Sequence, residues 1–328
     1  MFPRSRTITF EAALRDLANS TDPRTRAASA ASLGDIDPAD RREAVRGLTR
    51  AVRDDHPDVR AAAAYSLGHL LADLGDASAV RALCDGLDDL VALPRQSCAI
   101  ALGRIGDASA FDRLATALTD GPADLRFQAA TSLCEIDPER AFEVLCGALR
   151  SEADGEVVCA IALALGEIGD PRAADALAGA LDHSVDQTRF DVAYALASLG
   201  DARAVAVLAA FAAHKALTWP AIEGLENTAD ASAVDALAPL LMRRRTPRLY
   251  KVRAAAAILA LDPDGAAARN ARATLTAALR SWRFEVRALA VESLRRVGGD
   301  WSRAPLQALR ASAWGRRLQD EITDALGS

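Results

Sequence analysis

The four histidines (His56, His69, His183, His214) stand far apart in the 328 residues. None opens a His-Glu pair or an HExxH helix motif, the spacings that bring ring nitrogens and a carboxylate onto one metal ion. The two lysines, Lys215 and Lys251, have no glycines before them, so no phosphate-cradling GxxxxGK[ST] loop exists, and GxGxxG and GxSxG are absent as well. Five cysteines (Cys84, Cys98, Cys134, Cys146, Cys159) form no CxxC pair and are odd in number, which suits buried reduced thiols. On these grounds no catalytic residue, metal ligand or cofactor is expected.

Carboxylates and arginines are plentiful, and they recur at fixed places. Asp76, Asp107, Asp170, Asp201 and Asp230 each open a phrase D-x-x-A-x-x-x-L, at intervals near 30 residues. A second phrase sets an arginine seven residues before a leucine: Arg26/Leu33, Arg60/Leu67, Arg95/Leu102, Arg126/Leu133, Arg189/Leu196 and Arg287/Leu294. Alanine fills the space between. Hydrophobic residues make up 51% of the chain but aromatics only 5%, a balance that favours closely packed helices over sheets.

The elements that must hold these residues are paired helices. Aspartate at the head of the first phrase accepts backbone N–H bonds and opens helix A. A turn such as Asp54-Asp55-His56-Pro57-Asp58 closes it, and Pro57 suits the first turn of helix B. An ending such as Leu102-Gly103-Arg104-Ile105-Gly106-Asp107 stops helix B and starts the next unit. A hairpin of about 30 residues cannot bury its own apolar face, so the units must stack.

The phrases Asp170 to Leu177 (DPRAADAL) and Val59 to Gly68 (VRAAAAYSLG) resemble HEAT-like repeats of the short kind associated with phycobilisome lyase subunits, over nearly the whole chain. The resemblance implies an all-α fold: a right-handed α-solenoid of about nine to ten helical hairpins, forming one array over residues 1–328. Irregularities predict a joint near 202–251: Thr218 stands where an arginine should, residues 242–251 lengthen a loop, and Arg253 is out of register. Residues 69–75 insert about one extra turn, and Val158 replaces the arginine of the fifth unit.

In helix B, Val59, Ala63, Leu67 and Leu70 form one apolar stripe at about 100° per residue, facing helix A. The opposite side carries Tyr65, Gln96, Ile100, Phe127, Thr131, Phe190, Tyr194 and Trp219. Because B helices line the concave surface in the resembling family, Tyr65, Phe127, Phe190, Tyr194 and Trp219 are expected in a groove that binds another protein or a peptide segment. The alternative from pattern alone is that neighbouring B helices cover these rings. The recurrent arginines (Arg26, Arg60, Arg95, Arg126, Arg189, Arg287) are expected to form a structural ladder of hydrogen bonds between units, as in HEAT-type repeats.

Charge is uneven. Residues 240–328 hold 17 Arg and Lys against 8 Asp and Glu, within a chain of net charge −6. Arg243, Arg244, Arg245, Arg248, Lys251 and Arg253 cluster there, followed by Trp282, Arg283 and Arg287. Such a basic patch can attract phosphate backbones, so nucleic-acid binding is the rival function, with a DNA glycosylase-like variant of it; a bilin lyase-type subunit is a remote third. A solvated face, or contact with another copy's acidic half, explains the same cluster. The missing signal segment and the shortness of the apolar runs, such as Ala204 to Ala213, lead to an expected cytoplasmic protein with no membrane partner.

Overall fold

Each of the five predicted capping aspartates does accept backbone N–H bonds at a helix start: Asp76 from Ser78 and Ala79, Asp107 from Ser109, Asp170 from Arg172, Asp201 from Arg203 and Asp230 from Ser232. At three of them, Asp107, Asp170 and Asp201, a single 3-10 turn leads into helix A. The computed structural model describes residues 9–36, 40–72, 75–212 and 217–327. His214 and Lys215, the end of the apolar run at Ala213, and part of the insertion at 69–75 lie outside the described residues. Among those described there are twenty α-helices and no strand.

The chain divides into two compact units, Met1–Ile168 and Gly169–Ser328. The first alternates A helices α1 (Phe10–Asn19), α3 (Arg41–Ala51), α5 (Ala77–Gly86), α7 (Phe111–Asp120) and α9 (Pro138–Leu149) with B helices α2 (Pro23–Ser32), α4 (Pro57–Leu70), α6 (Ala92–Ile105), α8 (Ala123–Ile136) and α10 (Gly155–Ile168). The second has A helices α11 (Ala174–Gly179), α13 (Val205–Phe211), α15 (Ala233–Met242), α17 (Ala268–Leu279) and α19 (Asp300–Ala311). Its B helices are α12 (Asp186–Ser198), α14 (Thr218–Asn227), α16 (Arg248–Leu261), α18 (Phe284–Val297) and α20 (Gln319–Gly327). Within each unit every B helix packs on the next B helix, and most A helices meet the A layer of the next hairpin, as an all-α solenoid requires.

The core lies between the two layers. Val59, Ala63, Leu67 and Leu70 of α4 are buried, as the apolar stripe predicts. Successive B helices approach closely because small residues face each other: a Cβ on Gly68 would stand 2.9 Å from the Cα of Ala101 on the next B helix. Buried serines join the same layer. Ser66 Oγ donates to the carbonyl of Ala30 and Ser132 Oγ to that of Ala99, both at 2.9 Å. Gly106, with φ +69°, and Gly200, with φ +77°, supply the left-handed residue that ends a B helix without a Cβ clash.

Candidate functional site

The arginine at the fourth residue of a B helix reaches backward and forward at once. In α4, Arg60 Nη1 donates to the carbonyl of Asp54 in its own A–B turn at 2.9 Å. Its Nε and Nη2 grip the carboxylate of Asp89, one hairpin on, at 2.5 and 2.8 Å. Arg26 does the same with the Ser20 carbonyl and Asp54, Arg95 with the Asp89 carbonyl and Asp124, and Arg126 with the Gly121 carbonyl and Glu152. Two-pronged guanidinium–carboxylate pairs are the strong, directional kind. The carboxylates also order their own turns, Asp54 accepting from His56 N–H and Asp89 from Val91 N–H, both at 2.9 Å. The Arg60 guanidinium holds Asp89 below the usual carboxylate range, and Arg126 does so for Glu152, in each case against the opposing effect of burial.

In residues 169–328 the same position is occupied differently. Arg189 pairs with Asp186 of its own helix, so it reaches no neighbouring hairpin through that bond. Lys251, placed by its sequence neighbours in the basic patch, is the fourth residue of α16; its Nζ donates to the Leu241 carbonyl at 2.8 Å across the lengthened loop. Arg287 is buried and donates to the Ser281 carbonyl at 2.7 Å, but in place of a carboxylate it meets the rings of Trp314, 4.8 Å away, and Phe284, 6.0 Å away.

The outward residues of the B helices separate into several environments. Tyr65 is 50% exposed, with the His69 ring edge-on at 4.7 Å and the Arg104 guanidinium 5.0 Å from its centroid; Arg104 Nη1 lies 3.2 Å from His69 Nε2. One turn-equivalent position on each following B helix holds Ile100, Thr131 and Leu163, the last 49% exposed. Beside this row runs a polar one of exposed residues, His69, Arg104, Glu135 and Glu167. Phe127 and Gln96 are half-buried. Partial desolvation of the Glu135 carboxyl pushes it up, with Arg104 acting in the opposite sense.

Phe190 does not stand outward: it is buried against Phe211, 5.4 Å away edge-on, and beside Tyr194 at 6.2 Å. Its position, next after the arginine, lies at the margin of the B face, where helix A of the following hairpin covers it. Tyr194 and Trp219 are half-buried, and Trp219 is flanked by Tyr250 and Arg253. Arg253 and Arg296 converge on Glu226, at 3.3 and 2.7 Å. Neither Leu163 nor the Glu226 hub was visible in the repeat phrases, because Val158 and Thr218 break the arginine register that would have located them.

Arg243, Arg244, Arg245, Arg248, Trp282 and Arg283 are exposed, Trp282 at 72%. Burial pushes the Cys98 thiol up to about 12 and the Cys134 thiol up to about 11, so neither is a thiolate nucleophile at neutral pH. Among the described residues no group of three His, Cys, Asp or Glu could hold a metal ion, and no helix is long and apolar enough to cross a membrane.

The family model for HEAT repeats matches residues 11–103, 51–131, 92–163, 111–197 and 148–219. No curated protein matches the sequence. Among solved structures, Kap95p in its complex with RanGDP is similar at 12% identity over 97% of this chain and 52% of that chain, with a TM-score of 0.65. An engineered protein is 21% identical over 97% of this chain and 98% of its own, with a TM-score of 0.52. The CpcE–CpcF complex of phycocyanin lyase from Nostoc sp. PCC7120 is 21% identical over 70% of this chain and 92% of that chain, with a TM-score of 0.44.

Proposed function

We propose that this chain, which belongs to the family of HEAT-repeat proteins, is a non-catalytic protein-binding scaffold whose B-helix face in residues 1–168 receives an extended segment of another protein. The observation that carries the reading is the paired rows on that face: Tyr65, Ile100, Thr131 and Leu163 beside His69, Arg104, Glu135 and Glu167. B helices in this unit meet over longer stretches than A helices do. We read the B face as the inner wall of this unit, since an array that packs more extensively along one side bends toward that side. Helices packed about 8–10 Å apart offer one apolar and one polar contact per three residues of an extended chain. Tyr65, held between His69 and Arg104, loses little freedom on binding, which suits an anchor. Kap95p, alike in fold alone, binds a protein, RanGDP.

The test is selection of peptides displayed on phage against the immobilised full chain, followed by affinity measurement of the enriched sequences. Tyr65→Ser combined with Leu163→Ser removes exposed apolar contacts without opening the core, so affinity is expected to fall at least about tenfold while helical content stays unchanged. The absence of enrichment, or equal affinity for the double variant, contradicts the reading.

A further inference from the structure

The last three hairpins carry a surface that the B-face reading does not use. Their A–B turns span 242–248, 280–284 and 312–317. Stacking of α15 on α17 and α17 on α19, and of α16 on α18 and α18 on α20, sets these turns side by side along one edge of the unit. The second and third turns are bridged through α18, whose Arg287 guanidinium lies 4.8 Å from the Trp314 ring of the third.

Each turn presents a large apolar side chain to solvent beside arginines. Met242 is 71% exposed and is followed by Arg243, Arg244 and Arg245; Trp282, 72% exposed, lies between Arg280 and Arg283; Trp314, 48% exposed, precedes Arg316 and Arg317. The three segments together hold eight arginines and no Asp or Glu. All eight are exposed, and among the described residues none forms an ion pair. Exposed indole and thioether groups cost free energy in water, and eight like charges along one edge repel one another. Both costs fall if the edge rests on an apolar–anionic boundary.

We propose that this edge is a docking surface for an anionic lipid bilayer, with Trp282, Trp314 and Met242 entering the headgroup layer and the arginines meeting lipid phosphates. Charge complementarity names the sign of the partner, and the placement of the apolar groups names its class. They protrude at the tips of separate turns, spaced by the distance between stacked helices, so they fit a broad surface rather than a single pocket. Trp is the side chain that prefers a headgroup boundary, and Arg can extend an apolar stem while keeping its charge at phosphate level. Nucleic acid would use the arginines and could stack a base on an indole, but it gives the exposed Met242 side chain no apolar partner.

The experiment is co-sedimentation of the full chain with vesicles of phosphatidylcholine alone and of phosphatidylcholine with about a third phosphatidylglycerol, at low and high salt, alongside tryptophan emission. A single-stranded oligonucleotide is titrated in parallel. Binding to the phosphatidylglycerol vesicles, a blue shift in emission, and release by salt are expected. Replacing Arg243, Arg244 and Arg245 by serine lowers partitioning at least about tenfold, and Trp282→Ala reduces the blue shift to the part due to Trp314, both with helical content retained. No binding at low salt, equal binding to both vesicles, or indifference to both variants overturns the proposal. So does an arginine-dependent affinity for the oligonucleotide without one for vesicles. Phosphatidylglycerol binding by a Tyr65→Ser, Leu163→Ser chain keeps this test separate from that of the B face.

Discussion

At the fourth residue of their B helices, the two units place the same kind of cation in different company. In residues 1–168, four consecutive arginines each clasp a carboxylate from the next hairpin, so the turn edge there is acidic and internally satisfied. In residues 169–328, Arg189 turns to its own helix, Lys251 closes the end of helix A, and Arg287 sits beneath aromatic rings. The turns that supply Asp54, Asp89, Asp124 and Glu152 in the first unit supply arginine and tryptophan in the last three hairpins of the second. A repeat position can therefore serve cohesion in one stretch and leave its edge free for contact in another, with the helical scaffold unchanged.

The largest effect expected is on the ladder itself. Arg60→Ala strands the mostly buried Asp89 carboxylate and should cost about 3 kcal/mol, read from the opening free energies of amides in α4 and α6 by hydrogen exchange. Arg189→Ala removes an exposed pair and should cost below about 1 kcal/mol in the corresponding amides of α12. Equal losses in the two variants would erase the contrast.

Close packing gives the next comparison. Gly68→Ala brings a Cβ against the Ala101 backbone and should destabilise by about 1–3 kcal/mol. Gly224→Ala meets the movable end of the Leu208 side chain at 2.9 Å and should cost less, below about 1 kcal/mol. Thermal melts of the two variants check the order.

Acid supplies a smaller test. Asp89 and Glu152 have folded-state pKa values depressed by their arginines, so their contribution is complete above about pH 4, the unfolded range, and is lost as pH falls through the folded values. Hydrogen exchange, corrected for intrinsic rates, should show the ladder hairpins of residues 1–168 losing more protection between about pH 5 and pH 3 than α16 does. Uniform loss contradicts a ladder-specific origin.

The caps follow from a local phrase, an aspartate three residues before alanine, and the phrase of an arginine seven before leucine located Arg26, Arg60, Arg95 and Arg126; the same phrase at Arg189 and Arg287 did not foretell their different partners, Asp186 of the same helix and the rings of Phe284 and Trp314. The acids that complete the ladder were not legible, since they come from the next hairpin at offsets that vary with turn length, and Glu152 replaces aspartate at the last rung. Lys251 escaped the same test because it is a lysine where the pattern asks for arginine, with Ile258 where it asks for leucine. Phe190 misled because helical angle alone cannot tell the middle of the B face from its margin, where Phe211 covers it. Family resemblance carried the architecture, while the exposure of residues at the edge and on the face depends on how neighbouring helices pack.

The most direct measurement is a double-mutant cycle on Arg60 and Asp89, using Arg60→Ala, Asp89→Ala and the pair, with amide opening free energies in α4 and α6 as the readout. The ladder predicts a coupling of at least about 1.5 kcal/mol between these residues of adjacent hairpins. Additive losses, with a coupling below about 0.5 kcal/mol, would contradict it.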